Sequence, residues 1–433
     1  MQTSPEQGAS TDVEAWMISV LASAWALLLG MMLLQVGNGM QGTLLGVRGE
    51  IEGFDTFEMS LVMAGYFVGF LFGSRMAPDM IRRVGHVRVF AALASMISAV
   101  MLLYPTFTNI WVWGAARILV GFCFSGVYVT AESWLNNAAT NENRGKALSL
   151  YMMLQMVGII TAQALMLTAD PSGFILFIIP SVLISLAFAP ILLSISPTPA
   201  SEQTKNMGLK ELYRVSPLGC VGMLLLGVIF SVQFGMGPVY AAEAGLSVGQ
   251  ISIFISTFYI GALVVQFPLG WLSDRMDRRV LILAVAAIGA AGASLGMVLG
   301  HVFVVLVGAA FIVGGMSNPL YSLIIAYTND FLDHEDMPAA AGGLVFINGL
   351  GAVGGPILTG WIMGALGAWA FFLVIAWFNA AIVIYAAYRM TQRASPGVQD
   401  TDSYAVVVHG VTPAAVAIAQ EYAIEASQED QNS

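Results

Sequence analysis

Arg117 and Glu132 are the two ionisable residues of this chain that lie well inside long apolar runs. An arginine within hydrocarbon is costly and normally turns to the protein interior or to a water-filled cavity. Arg117 lies roughly seven residues, about 10 Å at 1.5 Å per residue, from the start of its hydrophobic segment. Two readings stay open for it. The guanidinium either snorkels to the nearby interface, or it is a cavity cation that holds an anionic group of a ligand or depresses the pKa of a neighbouring carboxylate. Glu132 follows about 22 Å further along the same helix, too far to pair with Arg117. Of the carboxylates it alone stands away from the segment ends, which makes it the proton-coupling candidate. A structural pairing with Arg82 or Arg83 is the preferred alternative. The histidines (His86, His301, His334 and His409) fall in gaps, turns or the C-terminal tail.

A second chemistry is carried by amides. Gln35, Asn38, Gln41, Gln155, Gln163, Gln233, Gln266, Asn318 and Asn348 all interrupt apolar runs. An amide without a partner in lipid costs several kcal/mol, so these groups turn inward, toward one another or toward a ligand. Both outcomes stay open for the set. Gln155 and Asn348, each near mid-segment, are read as facing a cavity. Tyr128, Tyr259 and Tyr321 add ring faces and hydroxyls to it, against the plainer reading of packed rings with one satisfied hydroxyl. The candidate solute site is therefore Gln35, Asn38, Arg117, Tyr128, Gln155, Gln233, Tyr259, Asn318, Tyr321 and Asn348.

Membrane-spanning helices must position these groups. The 433 residues are 58% hydrophobic and only 10% charged, where soluble domains carry about 25% charged residues. Crossing the bilayer takes roughly 20 helical residues. Runs of that size fall near 17–43, 57–76, 89–107, 110–135, 147–169, 173–195, 217–240, 250–272, 280–300, 302–328, 339–363 and 369–388. Backbone groups in lipid must be satisfied internally, which makes the runs helices. Fourteen of the sixteen Lys and Arg residues lie in gaps after even-numbered runs; the exceptions are Arg48 and Arg117. This asymmetry predicts both termini in the cytoplasm, in a bacterial plasma membrane. The first run is expected to stay as an anchor, since residues 1–15 hold no Lys or Arg for a signal peptide. Trp111, Trp113 and Trp369, near segment ends, are expected to be interfacial anchors.

The polar gap Ser196–Ser216 divides the runs six and six. The expected organisation is an N-terminal tail (1–16), a six-helix bundle (17–195), a linker (196–216), a second bundle (217–390) and an acidic tail (391–433). The tail is read as disordered with a transient helix from Thr412-Pro413. The halves resemble each other: Tyr128, Asn136, Glu142 and Gly158 recur 193 positions later as Tyr321, Asn329, Glu335 and Gly351. Gln35-x-Gly37 recurs as Gln233-x-Gly235, and Arg82-Arg83-Val84 as Arg278-Arg279-Val280. A duplicated bundle suggests two rigid bodies rocking about a site between them.

The net charge of −10 arises mainly from the tails and the loop Glu50–Glu58. No clustered basic face is present, so a nucleic-acid partner is excluded. Without a Gly-x4-Gly-Lys-Ser/Thr string the chain has no nucleotide site of the P-loop type. Cys123 and Cys220 read as apolar packing residues. No metal-ligand cluster or nucleophile–base pair occurs at helical spacing, so no catalytic residue, metal or cofactor is expected. The partners expected are a small-molecule substrate, membrane lipid and, as an open option, protons; the chain is expected to be a monomer.

Two gaps carry related motifs. Between runs eight and nine stands Gly270-Trp-Leu-Ser-Asp274-Arg275-Met-Asp277-Arg278-Arg279. It resembles motif A of the major facilitator superfamily, Gly-x-Leu-x-Asp-Arg followed by further basic residues. The counterpart between runs two and three holds Gly73, Arg75, Pro78, Asp79, Arg82 and Arg83, with Pro78 where the pattern has Asp. Arg117-Ile-Leu-Val-Gly121 resembles motif B, and Ala-Glu132-Ser-Trp-Leu-Asn136 looks like the YcaD branch of these transporters. The resemblance implies an all-α polytopic membrane protein of twelve transmembrane helices in two pseudo-symmetric bundles. It also implies that the third helix of each triplet forms the outer wall while the others line a central cavity. Among the amides only Asn379 lies on such a third helix.

A carboxylate with arginines at a helix end can pair across the halves when that side is closed and part when it opens. The gating set is Gly73, Asp79, Arg82, Arg83, Glu132, Gly270, Asp274, Arg275 and Arg278; the alternative is that these arginines only set topology and meet lipid headgroups. The expected function is secondary transport of a small organic solute by alternating access, with efflux, proton-linked or not, preferred on the resemblance. The rivals are a sugar or organic-anion importer or facilitator, and a transporter-like receptor or scaffold acting through its C-terminal tail.

Overall fold

The computed structural model describes residues 5–138, 144–190, 207–333 and 335–392, together with Tyr404, Ala405, Val407, Ala415, Val416 and Ala419. Among these residues every regular element is helical. The first half comprises α1 (Pro5–Ile51), α2 (Thr56–Val84), α3 (His86–Thr106), α4 (Ile110–Ala138), α5 (Arg144–Leu165) and α6 (Ile175–Ala187). The short α7 (Leu209–Val215) leads into α8 (Pro217–Ser231), which runs through a π-helical turn (Val232–Met236) into α9 (Gly237–Glu243). Then follow α10 (Val248–Ser273), α11 (Arg278–Leu299), α12 (Phe303–Asn329), α13 (Met337–Leu366) and α14 (Ala370–Met390). Ten segments are long and apolar enough to cross a membrane, counting α8 to α9 as one. With α1 and the 13-residue α6 they match the twelve runs read from the sequence.

Local chemistry sets the helix ends. Asp55 accepts from the backbone N–H of Glu58 at 2.7 Å while Glu58 accepts from that of Asp55 at 3.0 Å, a capping box that starts α2. Ser247 and Gln250 start α10 in the same way. Gly85, at φ +86°, supplies the left-handed step that reverses the chain from α2 into α3. The π-helical turn has an equally local cause. Pro238 lacks an N–H and its ring crowds the carbonyl of Phe234, so the helix widens over Val232–Met236.

Small residues bring the helices together. Gly65, Gly69 and Gly73 form a stripe on α2 against α4, where a methyl on Gly69 would collide with the Ile118 carbonyl and lie 2.7 Å from the Phe122 nitrogen. The sequence repeat has a physical counterpart. Gly158 of α5 packs on α1 at Met32 and Gln35, and Gly351 of α13 packs on α8 at Leu224. Across the halves α2 meets α13, α5 meets α10, and α1 meets α9. Exposed Val264, Phe267 and Trp271 form an apolar stripe along α10 of the kind that lipid covers.

The ends of the bundle differ in charge: the end where α2 finishes carries Arg82 and Arg83, and will be called the basic end. At the opposite end the isolated Arg48 is neutralised locally, by Glu52 at 2.6 Å and the carbonyls of Pro171 and Ser172. Trp111 and Trp369 are exposed as expected of anchors, but Trp113 is not. It is fully buried, donating to the Tyr104 carbonyl at 3.0 Å with its ring edge-on to Phe54 and Tyr104.

The expected tail helix falls mostly outside the described residues. Among those that are described, Val407, Ala415, Val416 and Ala419 are buried, and Val407 is held by the second half. The Val407 N–H donates to Ser322 Oγ at 3.0 Å, and Ser322 Oγ donates to the Val407 carbonyl at 2.8 Å.

Candidate functional site

A cavity of about 650 Å³ lies between the halves, lined from α1, α2, α4 and α5 on one side and from the π-turn, α10, α12 and α13 on the other. It is closed at the end opposite the basic one. There Thr56 Oγ1 donates to Glu243 Oε2 at 2.9 Å, Gly360 leaves no room for a side chain against Ser60, and Gly46 packs on Pro238. Toward the basic end the lining reaches Ser74, Arg75 and Pro78 of α2 and Pro338, Ala339, Gly342 and Gly343 of α13. Arg75 and Pro78 are exposed.

One hydrogen-bonded polar chain occupies the first-half wall. Arg117 donates through NH1 to Gln41 Oε1, and Gln41 Nε2 reaches Asn38 Oδ1 at 3.5 Å. Asn38 Nδ2 donates to the Tyr128 hydroxyl at 3.1 Å, and that hydroxyl donates to Gln35 Oε1 at 2.6 Å. Gln35 Nε2 then donates to Gln155 Oε1 at 2.7 Å. The chain has two open ends: among the described residues, Arg117 Nε and Gln155 Nε2 are buried donors with no partner. Arg117 is 4% exposed and lies 4.9 Å from the Tyr66 ring centroid, with Met63 Sδ 3.6 Å from NH2. No ion pair involves it among the described residues. Arg117 is thus folded into the bundle at the cavity wall and does not snorkel to the interface.

The second-half wall is plainer. Asn348, the counterpart of Gln155, donates to the Met223 carbonyl at 3.0 Å and holds α13 to α8. Tyr259 packs on Phe234 with centroids 4.8 Å apart and the rings tilted by 32°. Asn318 and Tyr321 line the cavity from α12. Gln233 is the one proposed site residue outside the lining; it is fully buried and donates to Ser317 Oγ at 2.6 Å. Its amide is used in packing the π-turn on α12.

Glu132 is fully buried and accepts from the Tyr151 hydroxyl at 3.2 Å. Of the two arginines expected to pair with it, Arg82 and Arg83, Arg82 pairs with Asp79 one turn back on its own exposed helix end. Among the described residues, Arg275 folds over Trp271, 4.2 Å from its ring centroid. Arg278 pairs with Asp330 in a buried site and lies 3.8 Å from Asp274. Asp274 Oδ1 accepts from the Tyr404 N–H at 2.8 Å. Burial holds the Asp274 carboxyl above the usual carboxylate range, against the pull of that N–H and of Arg278 and Arg275.

A cavity between two six-helix halves, sealed at one end, is what duplicated helical transporters share. The family model for the Major Facilitator Superfamily matches residues 27–247 and again 219–412. The chain belongs to the major facilitator superfamily. Within it, the chain is similar to the MFS-type transporter YcaD of Escherichia fergusonii, 26% identical over 354 residues that cover 81% of this chain and 91% of that protein. It is equally similar to YfkF of Bacillus subtilis, 26% identical over 344 residues, 77% of this chain and 87% of that one. The solved structure of the nucleoside transporter NupG matches with a TM-score of 0.65 at 16% identity, over 86% of this chain and 99% of that one. A bacterial homologue of the human lysosomal transporter Spinster, inward-facing and unoccupied, matches at 0.63 and 14% identity, over 92% and 97%. These structures share the superfamily fold.

Several lining residues of this superfamily member escaped the sequence reading. Tyr66, Phe67 and Phe70 of α2 and Phe234 of the π-turn face the cavity. Aromatic residues in apolar helices meet lipid, neighbours or cavities alike, so only Phe234 carried a local signal, its place four residues before Pro238.

Proposed function

We propose that this superfamily member is a secondary transporter that carries a small organic solute through the central cavity by alternating access, with export as the favoured direction. The single observation that carries the reading is a cavity lined by both halves, sealed at one end and reaching exposed residues at the other. Rocking the halves about the polar chain Arg117–Gln155 would seal the basic end and part Thr56 from Glu243. The basic end is taken as cytoplasmic, with both termini there, in a bacterial inner membrane. The preference for export rests on the family resemblance. Proton linkage would run through Glu132, buried against Tyr151 one helical turn from Tyr128 of the polar chain. The protein would act as a monomer.

A second reading, a facilitator or importer of organic anions, draws on one observation. Arg117 brings a buried positive charge to the cavity wall with only neutral contacts among the described residues. A solute anion there would supply the missing counter-charge.

The test is a thermal-shift screen of the purified full chain against metabolites and lipophilic compounds at two pH values, followed by flux in proteoliposomes. A hit that stabilises the wild type, loses its effect in Gln155→Ala and moves down its own gradient or a proton gradient supports transport through this cavity. Hits that survive both Gln155→Ala and Arg117→Ala, with no solute flux, would point to the receptor or scaffold reading.

A further inference from the structure

The C-terminal segment holds no Lys or Arg after Arg393 and six carboxylates, at 400, 402, 421, 425, 429 and 430. Two of its described residues, Tyr404 and Val407, meet the second half, Tyr404 on the motif A residues Gly270 and Asp274. The Tyr404 ring fills the space over Gly270, where an added methyl would lie 2.9 Å from Cδ1. The Tyr404 N–H takes Asp274 Oδ1. The backbone of buried Val407 makes two hydrogen bonds with the side-chain hydroxyl of Ser322, the residue after cavity-lining Tyr321. One short stretch therefore ties the end of α10 to α12 and uses the motif A carboxylate.

We propose that this surface is the receptor for the chain's own C-terminal segment, and that the docked segment holds the basic end open. The proposal rests on the alternating-access reading. Closing the basic end by the motif A latch requires Asp274 and Arg275 to reach the first half, and Asp274 is already engaged by Tyr404. The docked segment, with the Tyr404 ring over Gly270 and its N–H on Asp274 Oδ1, disfavours that approach, so its removal shifts the population toward the state open at the opposite end. Docking is carried by hydrogen bonds from the main chain of Tyr404 and Val407 to the side chains of Asp274 and Ser322, and by the buried Val407 side chain.

Ser60 is a reporter for the opposite end. It is fully buried in the seam with Gly360 and would be reached by water only when that seam parts. The native Cys123 and Cys220 are buried, which keeps background labelling low. Ser60→Cys is made in the full chain, in a chain lacking residues 394–433, and in the full chain with Val407→Asp. Each is reconstituted and treated with a membrane-impermeant maleimide. Labelling is expected to rise severalfold on deletion and with Val407→Asp, and to fall back when a synthetic peptide of residues 394–433 is added at the basic end. Equal labelling in all three, while Gly360→Val (which wedges the seam apart) labels readily, overturns the segment's role and leaves transport standing. A Ser60→Cys that stays unlabelled even with Gly360→Val overturns the alternating-access reading and this proposal together.

Discussion

Replacing Arg117 by Gln should make the empty protein at least as stable as the wild type while impairing its hold on an anionic solute. The guanidinium is 4% exposed and is compensated by one hydrogen bond to Gln41, a weak contact to Met63 and the face of Tyr66. A hydrogen bond from a charged donor contributes about 1.5–3 kcal/mol. A cation over a ring adds about 0.5–2 kcal/mol when desolvated. Together these roughly match, without clearly exceeding, the several kcal/mol of desolvation that a buried ion retains in a relaxed protein. A neutral amide, two bonds shorter than the guanidinium, gives up the direct contact to Gln41 together with the desolvation of the charge. The apparent melting temperature of Arg117→Gln should therefore equal or exceed that of the wild type. Truncating one member of a buried charge pair costs about 2–5 kcal/mol, or roughly 30-fold to several thousand-fold in affinity. The assay is a paired thermal shift, each test carboxylate measured beside its own amide on both proteins. Acids should stabilise the wild type more than their amides do, and the difference should vanish in Arg117→Gln. A variant that melts several degrees lower, yet binds acids as well as the wild type does, would refute the account of Arg117 as an uncompensated cavity cation.

The other expectations follow from single contacts. Gln155 and Asn348 are equivalent in sequence but not in use. Gln155→Ala loses a spare donor and also the oxygen that accepts from Gln35, so it should weaken ligand-dependent stabilisation and cost the empty protein about 1–3 kcal/mol, while Asn348→Ala, losing the tie to Met223, should lower the melting temperature by a similar amount of stability. Gly69→Ala forces α2 from α4 and should cost about 1–3 kcal/mol, read as lower yield and melting temperature; Gly354→Ala, which meets nothing within 4 Å, should be neutral or slightly stabilising. Pro238→Ala should let the π-turn relax toward α-helix, rotate Phe234 off Tyr259 and lower flux severalfold without unfolding the protein, checked by transport beside circular dichroism.

The features that were legible in the sequence are those fixed by solvent and period. Run length and the Lys/Arg asymmetry located the spans, because hydrocarbon thickness and leaflet charge act on each segment independently. The amides were also legible as inward groups, since lipid leaves them no other partner. The sequence left open which inward face looks at the cavity and which at a neighbouring helix. Gln233 and Gln155 are both buried amides, yet only Gln155 lines the cavity. Trp113 shows the same limit: an interfacial position in sequence became a buried one because Tyr104 and Phe54 close over it.

The tail was illegible for a different reason. Its composition, acidic and rich in Ala and Val, predicts little burial of its own, and nothing periodic marks Tyr404 or Val407. Their partners are Gly270, Asp274 and Ser322, more than eighty residues upstream. Gly270 and Asp274 were singled out as a gating motif, a reading that treats them as groups waiting for the opposite half. In this conformation the Tyr404 ring lies over Gly270 and the Tyr404 N–H donates to Asp274 Oδ1, while the Asp274 side chain stays partly exposed. A gating carboxylate with two alternative partners is a switch only if the partners exclude each other, and Asp274 Oδ1 is where they would compete. The state of the basic end then depends on how well the second half holds residues 404–407 as much as on the latch itself. Asp274→Asn, which keeps an oxygen for the Tyr404 N–H and removes the charge the latch needs, would separate those two roles.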